Sequence, residues 1–334
     1  MNTPLASLSI AAQVTLDMHS LNNEGGEGNQ IQTRMVEIVD QQKRLHSVNA
    51  ISGDMLKHVL MEHFYQMARA QGIALCASCQ HFNANRINAD RPFLTETEKI
   101  PDSAFLDQVL ARCAIDDVAG ILVTEKGRSI HRKSVSEFGW MIGLPHKTRT
   151  DSYLHVKYVP ERSEQKRAQD AVEQQKAGSN LGQSIFHRPA SSGIYALVCH
   201  LELVRIGYND VTQSYAIGQE ERQRRCALLL ESLLYTFIEL NGAMRSAQLP
   251  HLVGLEGVIT TSAGMLPAPL VSPLMSTDEQ PEAYRSQLTE IVAALNGSGK
   301  PLVTLETFDT VGEFASKMRV LLDRSAPFAT SIKS

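Results

Sequence analysis

The alternation of apolar and polar positions predicts the first elements of the chain. Apolar residues occupy every second position from Leu8 to Met18, with mostly polar residues between them. This period of two is typical of a half-buried β-strand. From Gly53 to Gln71 the apolar positions follow helical spacing instead, and Gly72 supplies a stop signal. A strand followed by a long amphipathic helix is therefore predicted.

The second half of the chain repeats this order. The segment Ser191–Arg205 is apolar on both faces near its start, which is typical of a central strand. A long helix is predicted over Gln219–Leu240 and a strand over Leu252–Thr261. These elements indicate an α+β fold with a modified ferredoxin-like, RNA-recognition-motif-like sheet. An insertion from Ile73 to Ala190 separates its two halves, and within it Val118–Val123 is predicted to be a strand.

Composition indicates a globular protein of ordinary polarity. The 334 residues are 43% hydrophobic and 20% charged, and no apolar run approaches the ~20 residues of a membrane span. Five cysteines and the lack of a signal-peptide pattern favour a reduced, cytoplasmic protein with no membrane partner. The net charge is −4, yet ten basic and four acidic residues lie between Lys126 and Arg167. That local excess favours a face for a polyanion.

Two short segments near the start carry the most specific chemistry. The run Asn22–Asn29 combines glycines with amide side chains, and Ile51–His58 is a Ser-Gly turn that opens the predicted helix. Side by side, they would offer backbone N–H groups, amides and the Lys57 cation to a sugar-phosphate backbone. The alternative is structural: Ser52 as an ordinary helix cap, and the glycines as a flexible hairpin loop.

Other chemistry in the sequence is weaker. Cys76 and Cys79 have zinc-ligand spacing, with His81 and Cys113 as further candidate ligands, but a second C-x-x-C is absent. We therefore predict no metal or cofactor, and zinc binding by these cysteines stays open. The neighbouring residues Asp116 and Asp117 would point to opposite faces of a predicted strand, which argues against joint catalysis. No P-loop or nucleophile-elbow motif is present, so an enzyme is not expected.

Several motifs together resemble the CRISPR-associated autoregulator (DevR) family, from Leu8 to about Ser262. The resemblance implies the backbone subunit of a type I Cascade effector complex, most like the I-A and I-B branches. The motifs that carry it are H-S-L-N-N-E-G-G-E-G-N at 19–29, S-V-N-A-I-S-G-D-M-L-K-H at 47–58, C-A-I-D-D-V-A-G-I-L at 113–122, H-R-K-S at 131–134, S-S-G-I-Y-A at 191–196 and G-A-M-R-S-A-Q-L-P-H at 242–251.

The resemblance also implies an organisation and a set of partners. It divides the chain into a first palm half (1–72), a finger insertion (73–144), a thumb hairpin with the basic region (145–192) and a second palm half (193–334). Such subunits form a helical oligomer along CRISPR RNA, with target DNA paired to the guide and other Cascade subunits beside them. Their role would be antiviral defence.

The expected RNA contacts follow from the resemblance and from the charge pattern. The family's guide-binding surface corresponds in this sequence to Asn22, Asn23, Asn29, Arg34, Ser52, Gly53, Lys57 and His58. The basic stretch and its flank add Arg132, Lys147, Arg149 and Arg188. Candidates for the thumb wedge that interrupts the guide are Ile185 and Phe186.

Two other functions are weighed against a non-catalytic scaffold. Related backbone subunits of type III complexes cleave RNA with an aspartate in the loop after the first strand. In this chain that loop, His19–Thr33, contains Glu24 and Glu27 but no aspartate. A DNA-binding autoregulator is the other alternative, and no helix-turn-helix signature supports it. The sequence therefore favours an RNA-binding subunit that is not an enzyme.

Overall fold

The structure, a computed structural model, describes residues 3–158 and 183–330. These residues form sixteen strands: β1 Thr3–Leu5, β2 Ser7–His19, β3 Asn23–Glu27, β4 Gln30–Thr33, β5 Met35–Val39, β6 Leu45–Ile51, β7 Ile121–Val123, β8 Ile130–Arg132, β9 Ser136–Phe138, β10 Met141–Tyr158, β11 Gln183–Leu201, β12 Tyr208–Asn209, β13 Ser214–Tyr215, β14 His251–Ser262, β15 Val303–Phe308 and β16 Ser325–Pro327.

Seven α-helices accompany these strands within the same described ranges. They are α1 Gly53–Ala70, α2 Arg91–Glu96, α3 Asp102–Arg112, α4 Ala114–Ala119, α5 Gln219–Ile238, α6 Ala283–Asn296 and α7 Val311–Arg324. Short 3₁₀ turns lie at Cys79–His81, Arg86–Ala89, Leu203–Arg205 and Pro273–Met275. The long predicted helices α1 and α5 are confirmed within two residues at each end. Gly72 ends the first with a positive φ of 65°.

One large sheet organises the molecule. Its main strand order is β15-β14-β2-β11-β10-β6-β5, and each neighbouring pair in that order is antiparallel. Helices α1 and α5 pack together and share one buried cluster with the sheet, through Leu60 and Phe64 on α1 and Leu229 on α5. The result is a mixed α/β fold with a mostly antiparallel sheet, as the sequence predicted at that level.

The first long strand differs from its prediction. β2 was expected to be half-buried, but nearly all of its residues from Ser7 to Leu16 are buried. It lies between β14 and β11, and α6 covers its second face by packing Tyr284 and Leu288 against Ala11. The buried Ser9 hydroxyl therefore needs a protein partner, and it donates to the Ala268 carbonyl at 3.0 Å.

The insertion that begins at Ile73 also contains one wrong prediction. Residues 114–119 form the short helix α4, and only Ile121–Val123 of the predicted strand is extended. Gly120 makes the junction with a φ of 70°, and a Cβ there would come within 2.5 Å of the Arg132 carbonyl oxygen. Asp116 and Asp117 therefore lie on a helix, not on a strand.

The thumb prediction corresponds to a long two-stranded ribbon. β10 and β11 pair continuously from Thr148 opposite Gly193 to Tyr158 opposite Gln183. The polar and charged composition of residues 161–182 predicts an exposed excursion, and this segment lies outside the described residues. The domain boundaries at 72, 144 and 192 stay predictions, as does the ferredoxin-like assignment of the sheet. Within the described ranges, no helix has both the length and the apolar character to cross a membrane.

Candidate nucleic-acid interface

The two segments singled out in the sequence lie side by side. The Ser52 side chain caps α1 by accepting from the Met55 N–H at 3.2 Å, and the Ser52 N–H donates to Asn22 Oδ1 at 2.8 Å. Gly53 packs so closely on β9 that an added Cβ would come within 2.5 Å of the Phe138 carbonyl oxygen. Asn22, Ser52 and Gly53 thus build the junction between the two segments.

The glycine run is an ordered hairpin rather than a flexible loop. β3 and β4 pair from Asn23 opposite Thr33 to Glu27 opposite Gln30. The hairpin contacts the ribbon, because the His187 N–H donates to the Asn29 carbonyl at 2.8 Å. The Asn29 side chain remains exposed, whereas Asn23 accepts a hydrogen bond from Ser20 at 2.9 Å. The hairpin therefore connects the start of α1 to the ribbon across one surface.

Arg34 lies at the edge of this surface. Its guanidinium pairs with Glu24 of the hairpin at 2.5 Å and lies over the Trp140 ring at 5.0 Å. The Arg34 side chain is 31% exposed to solvent. A guanidinium stacked on an indole is held in one orientation while its outer edge faces solvent. Trp140 was not singled out in the sequence, and no pattern around it marks its role.

A cavity of about 320 Å³ opens beside the first turns of α1. We call it the α1 cavity, and it is lined by the charged side chains of Asp54, Lys57 and Arg86 and by the His58 ring, with Phe82 as an aromatic wall. Burial lowers the pKa of the Lys57 ammonium, and repulsion from Arg86 lowers it further. Within the described ranges Lys57 and Arg86 form no ion pair, so two cations converge on one space near a helix N-terminus. Such a space suits an anion.

The remaining basic candidates lie on or near the ribbon and differ in availability. Arg149 is 84% exposed and lies 3.5 Å from Asp151, whereas Lys147 is held at 2.7 Å by Asp278. The Arg188 guanidinium lies over the Phe186 ring at 4.6 Å. These residues extend the polar surface from the hairpin onto the ribbon.

The two wedge candidates have different surroundings. Ile185 is exposed, and its side chain is 43% accessible to solvent. Phe186 is half-buried, with its ring stacked on His155 at 5.7 Å on one side and on Arg188 on another. Of the two, Ile185 presents the more accessible apolar side chain.

Arg132 was wrongly predicted to lie on the basic face. Its side chain is fully buried, where it pairs with Asp117 at 2.8 Å and donates to the carbonyl oxygens of Tyr208 and Arg205. Arg225 of α5 pairs with the same carboxylate at 3.0 Å and is also fully buried. We call these three residues, Arg132, Asp117 and Arg225, the Asp117 cluster. A buried guanidinium with these partners cannot reach RNA, so Arg132 leaves the set of candidate contacts.

Three cysteines of the insertion after α1 meet in space. Cys76, Cys79 and Cys113 lie together with Asp116, and their ligand atoms are all within 4.8 Å of one another. His81, the other candidate ligand from the sequence, is exposed and does not join this group. The signal that the sequence offered for the fourth member was the spacing Cys113-x-x-Asp116, which repeats that of Cys76-x-x-Cys79.

Comparison with solved structures identifies the class of this fold. One chain of a "CRISPR RNA-guided surveillance complex, pre-nicking" matches with a TM-score of 0.51 at 10% identity, covering 95% of this chain and 99% of that chain. A "CRISPR RNA-guided surveillance complex" gives 0.46 at 9% identity, over 95% and 98%. Csc2 of Thermofilum pendens gives 0.39 at 11% identity, over 96% and 87%. The first of these matches shows that this chain shares its fold with one chain of that complex.

The particular family is shown by its sequence model. The model of the CRISPR-associated negative auto-regulator DevR/Csa2 matches residues 10–279, and the chain belongs to that family. No curated protein matches the chain. The family resemblance predicted from the glycine run and the Ser-Gly turn is thereby confirmed.

Proposed function

We propose that this protein is a non-catalytic backbone subunit of a type I Cascade complex. It binds CRISPR RNA along its sugar-phosphate backbone and forms a helical oligomer on the guide. The observation that carries the proposal is the α1 cavity, where Lys57 and Arg86 converge beside a helix N-terminus and next to an amide-bearing hairpin. Family membership supports the CRISPR role.

The chemistry of this surface suits a guide of arbitrary sequence. A guide must be held without reading its bases, so phosphate and ribose contacts are required and a base-specific pattern is not. Cations and first-turn N–H groups bind phosphate, and the exposed Asn29 amide can bind a 2′-hydroxyl. Sequence recognition is then left to pairing between the guide and the target DNA strand.

The hairpin chemistry favours a scaffold over an RNA-cleaving subunit. Glu24, one of the two carboxylates in the loop after β2, is neutralised by Arg34 at 2.5 Å. A carboxylate oxygen that is engaged by a guanidinium is not free to accept a proton from a substrate. The other, Glu27, lies on the exposed strand β3 and accepts from Gln32 at 3.3 Å.

The ribbon supports assembly with a neighbouring copy. Exposed apolar side chains lie on both of its strands: Tyr153, Leu154, Val156 and Ile185. Apolar side chains on an exposed ribbon are covered when a partner binds. In the proposed complex the partners are the next subunit and the guide. Other Cascade subunits and a cytoplasmic role in antiviral defence complete the proposal.

Co-purification tests the proposal directly. When the protein is expressed with its CRISPR array and neighbouring subunits, RNA of one discrete length should co-purify with several copies of the chain. Single-stranded RNA too short for two subunits should bind more weakly per site than guide-length RNA, because it lacks the contact between neighbours. Equal affinity per site at both lengths would argue against an oligomer on the guide.

The alternatives are tested with the same preparation. Incubation with labelled complementary RNA and magnesium should leave the RNA intact, and cleavage in register with the subunits would establish the type III kind of activity instead. Binding to duplex DNA in the absence of guide should be weak and independent of sequence. A tight, sequence-specific DNA complex would favour the autoregulator.

A further inference from the structure

Two turns of the finger bring four ligand-bearing side chains together. Cys76 and Cys79 lie just after α1, and Cys113 and Asp116 lie at the junction of α3 with α4. Each pair is separated by two residues. All four residues are buried, and their thiol and carboxylate atoms lie within 4.8 Å of one another. The sequence pointed to three of these four residues and missed Asp116, because an aspartate stands where a second C-x-x-C motif would have a cysteine.

Backbone hydrogen bonds hold the two turns in this position. The Ala114 N–H donates to the Ala74 carbonyl at 2.9 Å and thereby joins the turns. The Cys79 N–H donates to Cys76 Sγ at 3.3 Å, and Cys79 Sγ lies 3.9 Å from Asp116 Oδ2. An N–H directed at sulfur favours the thiolate, which is the form of cysteine that binds metals.

Asp116 gives an independent indication that a cation belongs at this point. Its side chain is fully buried, and Oδ1 has no hydrogen-bond partner among the described residues. The adjacent Asp117 is equally buried but is neutralised by Arg132 and Arg225. No lysine, arginine or histidine within the described ranges forms such a pair with Asp116. A buried carboxylate normally has an ion-pair partner or a metal; within the described residues Asp117 has two ion-pair partners, whereas Asp116 forms none and experiences only the longer-range charge of Arg86.

We propose that Cys76, Cys79, Cys113 and Asp116 bind one structural Zn²⁺ ion. Three sulfurs and one carboxylate oxygen complete a tetrahedral set with no free position, and such closed sets stabilise folds rather than catalyse reactions. Thiolate ligands select zinc over magnesium and calcium. Zinc–sulfur bonds of about 2.3 Å correspond to sulfur separations of about 3.8 Å. The ligand atoms, which lie within 4.8 Å of one another, therefore need to approach by only about 1 Å.

The ion would have a structural purpose at the α1 cavity. The segment between Cys79 and Asp90 has only two short 3₁₀ turns, yet it supplies Phe82 and Arg86 to the cavity wall. Arg86 donates to the Gly120 carbonyl just after α4, and Phe82 stacks on Tyr65 of α1 at 4.9 Å. Zinc would fix the base of this segment. This link to the cavity rests on the proposed function, whereas the metal site itself does not.

Metal analysis of the full-length chain tests the site. The protein is purified without guide RNA, so that the result does not depend on RNA binding, and metals are quantified by inductively coupled plasma mass spectrometry. We expect about one zinc per chain. A zinc content near zero, a stoichiometric iron content with visible absorption, or a disulfide among the three cysteines would each overturn the proposal.

Matched variants assign the ion to these residues. Cys113→Ser and Asp116→Asn should lower the zinc content at least severalfold. The control Cys226→Ser removes another buried cysteine, on α5 and outside the group, and should keep the wild-type content. Equal zinc in Cys113→Ser and the control, or equal loss in both, would show that zinc is bound elsewhere.

A measurement on the wild-type chain covers the case in which Cys113→Ser does not fold. Exchange with Co²⁺ should produce the intense visible absorption of a tetrahedral thiolate complex at one equivalent. Blocking the thiols with a mercurial should release one equivalent of zinc to a chromogenic chelator. Absence of the cobalt spectrum and of thiol-dependent release would likewise overturn the site.

Discussion

The Asp117 cluster and the α1 cavity each bring two basic side chains together with an aspartate, but they differ in burial and in pairing. In the Asp117 cluster, Arg132 and Arg225 share one carboxylate and all three side chains are fully buried. In the α1 cavity, Lys57 and Arg86 line an open space and form no ion pair within the described ranges. The paired and buried cations Arg132 and Arg225 join β8 and α5 to α4 through Asp117, whereas cations without an ion pair remain available to an anion. Full burial together with pairing, not local charge density, separates the cations of the Asp117 cluster from those of the α1 cavity.

The strongest test of this difference is Arg132→Ala. Removing one partner of a buried ion pair should lower the free energy of unfolding by about 3–5 kcal/mol, since Asp117 loses half of its compensation. Chemical denaturation monitored by circular dichroism measures this change. The control Arg149→Ala removes an 84% exposed guanidinium and should alter stability by less than about 0.5 kcal/mol. Weakened RNA binding with an unchanged free energy of unfolding would show that Arg132 contacts RNA and is not a structural residue.

His19 extends the comparison of buried and exposed basic groups, because burial keeps its ring neutral. His19 at the end of β2 is buried, its Nε2 lies 2.8 Å from the Tyr195 hydroxyl, and burial lowers its pKa to about 4. The folded protein therefore disfavours the protonated ring. The contribution of neutral His19 to the free energy of unfolding should be complete above pH 6.5 and should be lost as the pH falls toward 4. The loss should reach ~2 kcal/mol at pH 5, from about 1.4 kcal/mol per pH unit.

The measurement is the free energy of unfolding at a series of pH values, for the wild type and for His19→Gln. Glutamine keeps a hydrogen-bond donor near Tyr195 but does not titrate in this range. The difference between the two curves isolates the histidine from the carboxylates. Parallel curves between pH 7 and 5 would show that His19 titrates normally in the folded protein.

The sequence predicted elements well wherever the signal was local. α1 was anticipated because Ser52 caps it and Gly72 ends it, and both devices are visible in the structure. The burial of β2 was underestimated because the cover on its second face comes from α6, more than 250 residues later. A strand's own residues do not show which distant helix packs on it.

The candidate site was predicted less completely, for the same reason. Arg132 stood in a basic stretch, and its partners Asp117 and Arg225 lie on α4 and α5. Arg86 and Trp140 carry no motif, and only folding brings them to the surface that Lys57 and Arg34 occupy. Charge runs identify where cations are, but tertiary contacts decide which of them are neutralised.

A substitution of Lys57 tests whether the α1 cavity binds RNA. Lys57→Ala should leave stability nearly unchanged, because the side chain is half-buried and has no ion-pair partner in the described part of the chain, but it should weaken RNA binding. One lost phosphate contact should lower the slope of log affinity against log salt by about 0.7 per subunit. Lys57→Glu should have a larger effect by adding repulsion beside Asp54. The measurement is fluorescence anisotropy with guide-length single-stranded RNA at several salt concentrations.

The matched control is Lys317→Ala on α7, where the lysine is paired with Glu306 at 3.3 Å. Its loss should leave RNA binding and the salt slope unchanged. If Lys57→Ala behaves like this control, α1 begins with an ordinary helix cap, and the cations of the α1 cavity do not contact the guide.

The smallest effect is expected at Lys147, which is paired like the arginines of the Asp117 cluster but partly exposed to solvent. Its ammonium is partly exposed but held by Asp278 at 2.7 Å, and the lysine lowers the pKa of that carboxyl. Asp278→Asn should therefore free the cation and strengthen RNA binding by about two- to threefold at low salt, an effect that screening removes at high salt. Asp278→Asn combined with Lys147→Ala should abolish the gain, since the gain comes from the lysine. An equal gain in the double variant would instead attribute it to general repulsion between the Asp278 carboxylate and RNA, and Lys147 would join Arg132 among the structural cations.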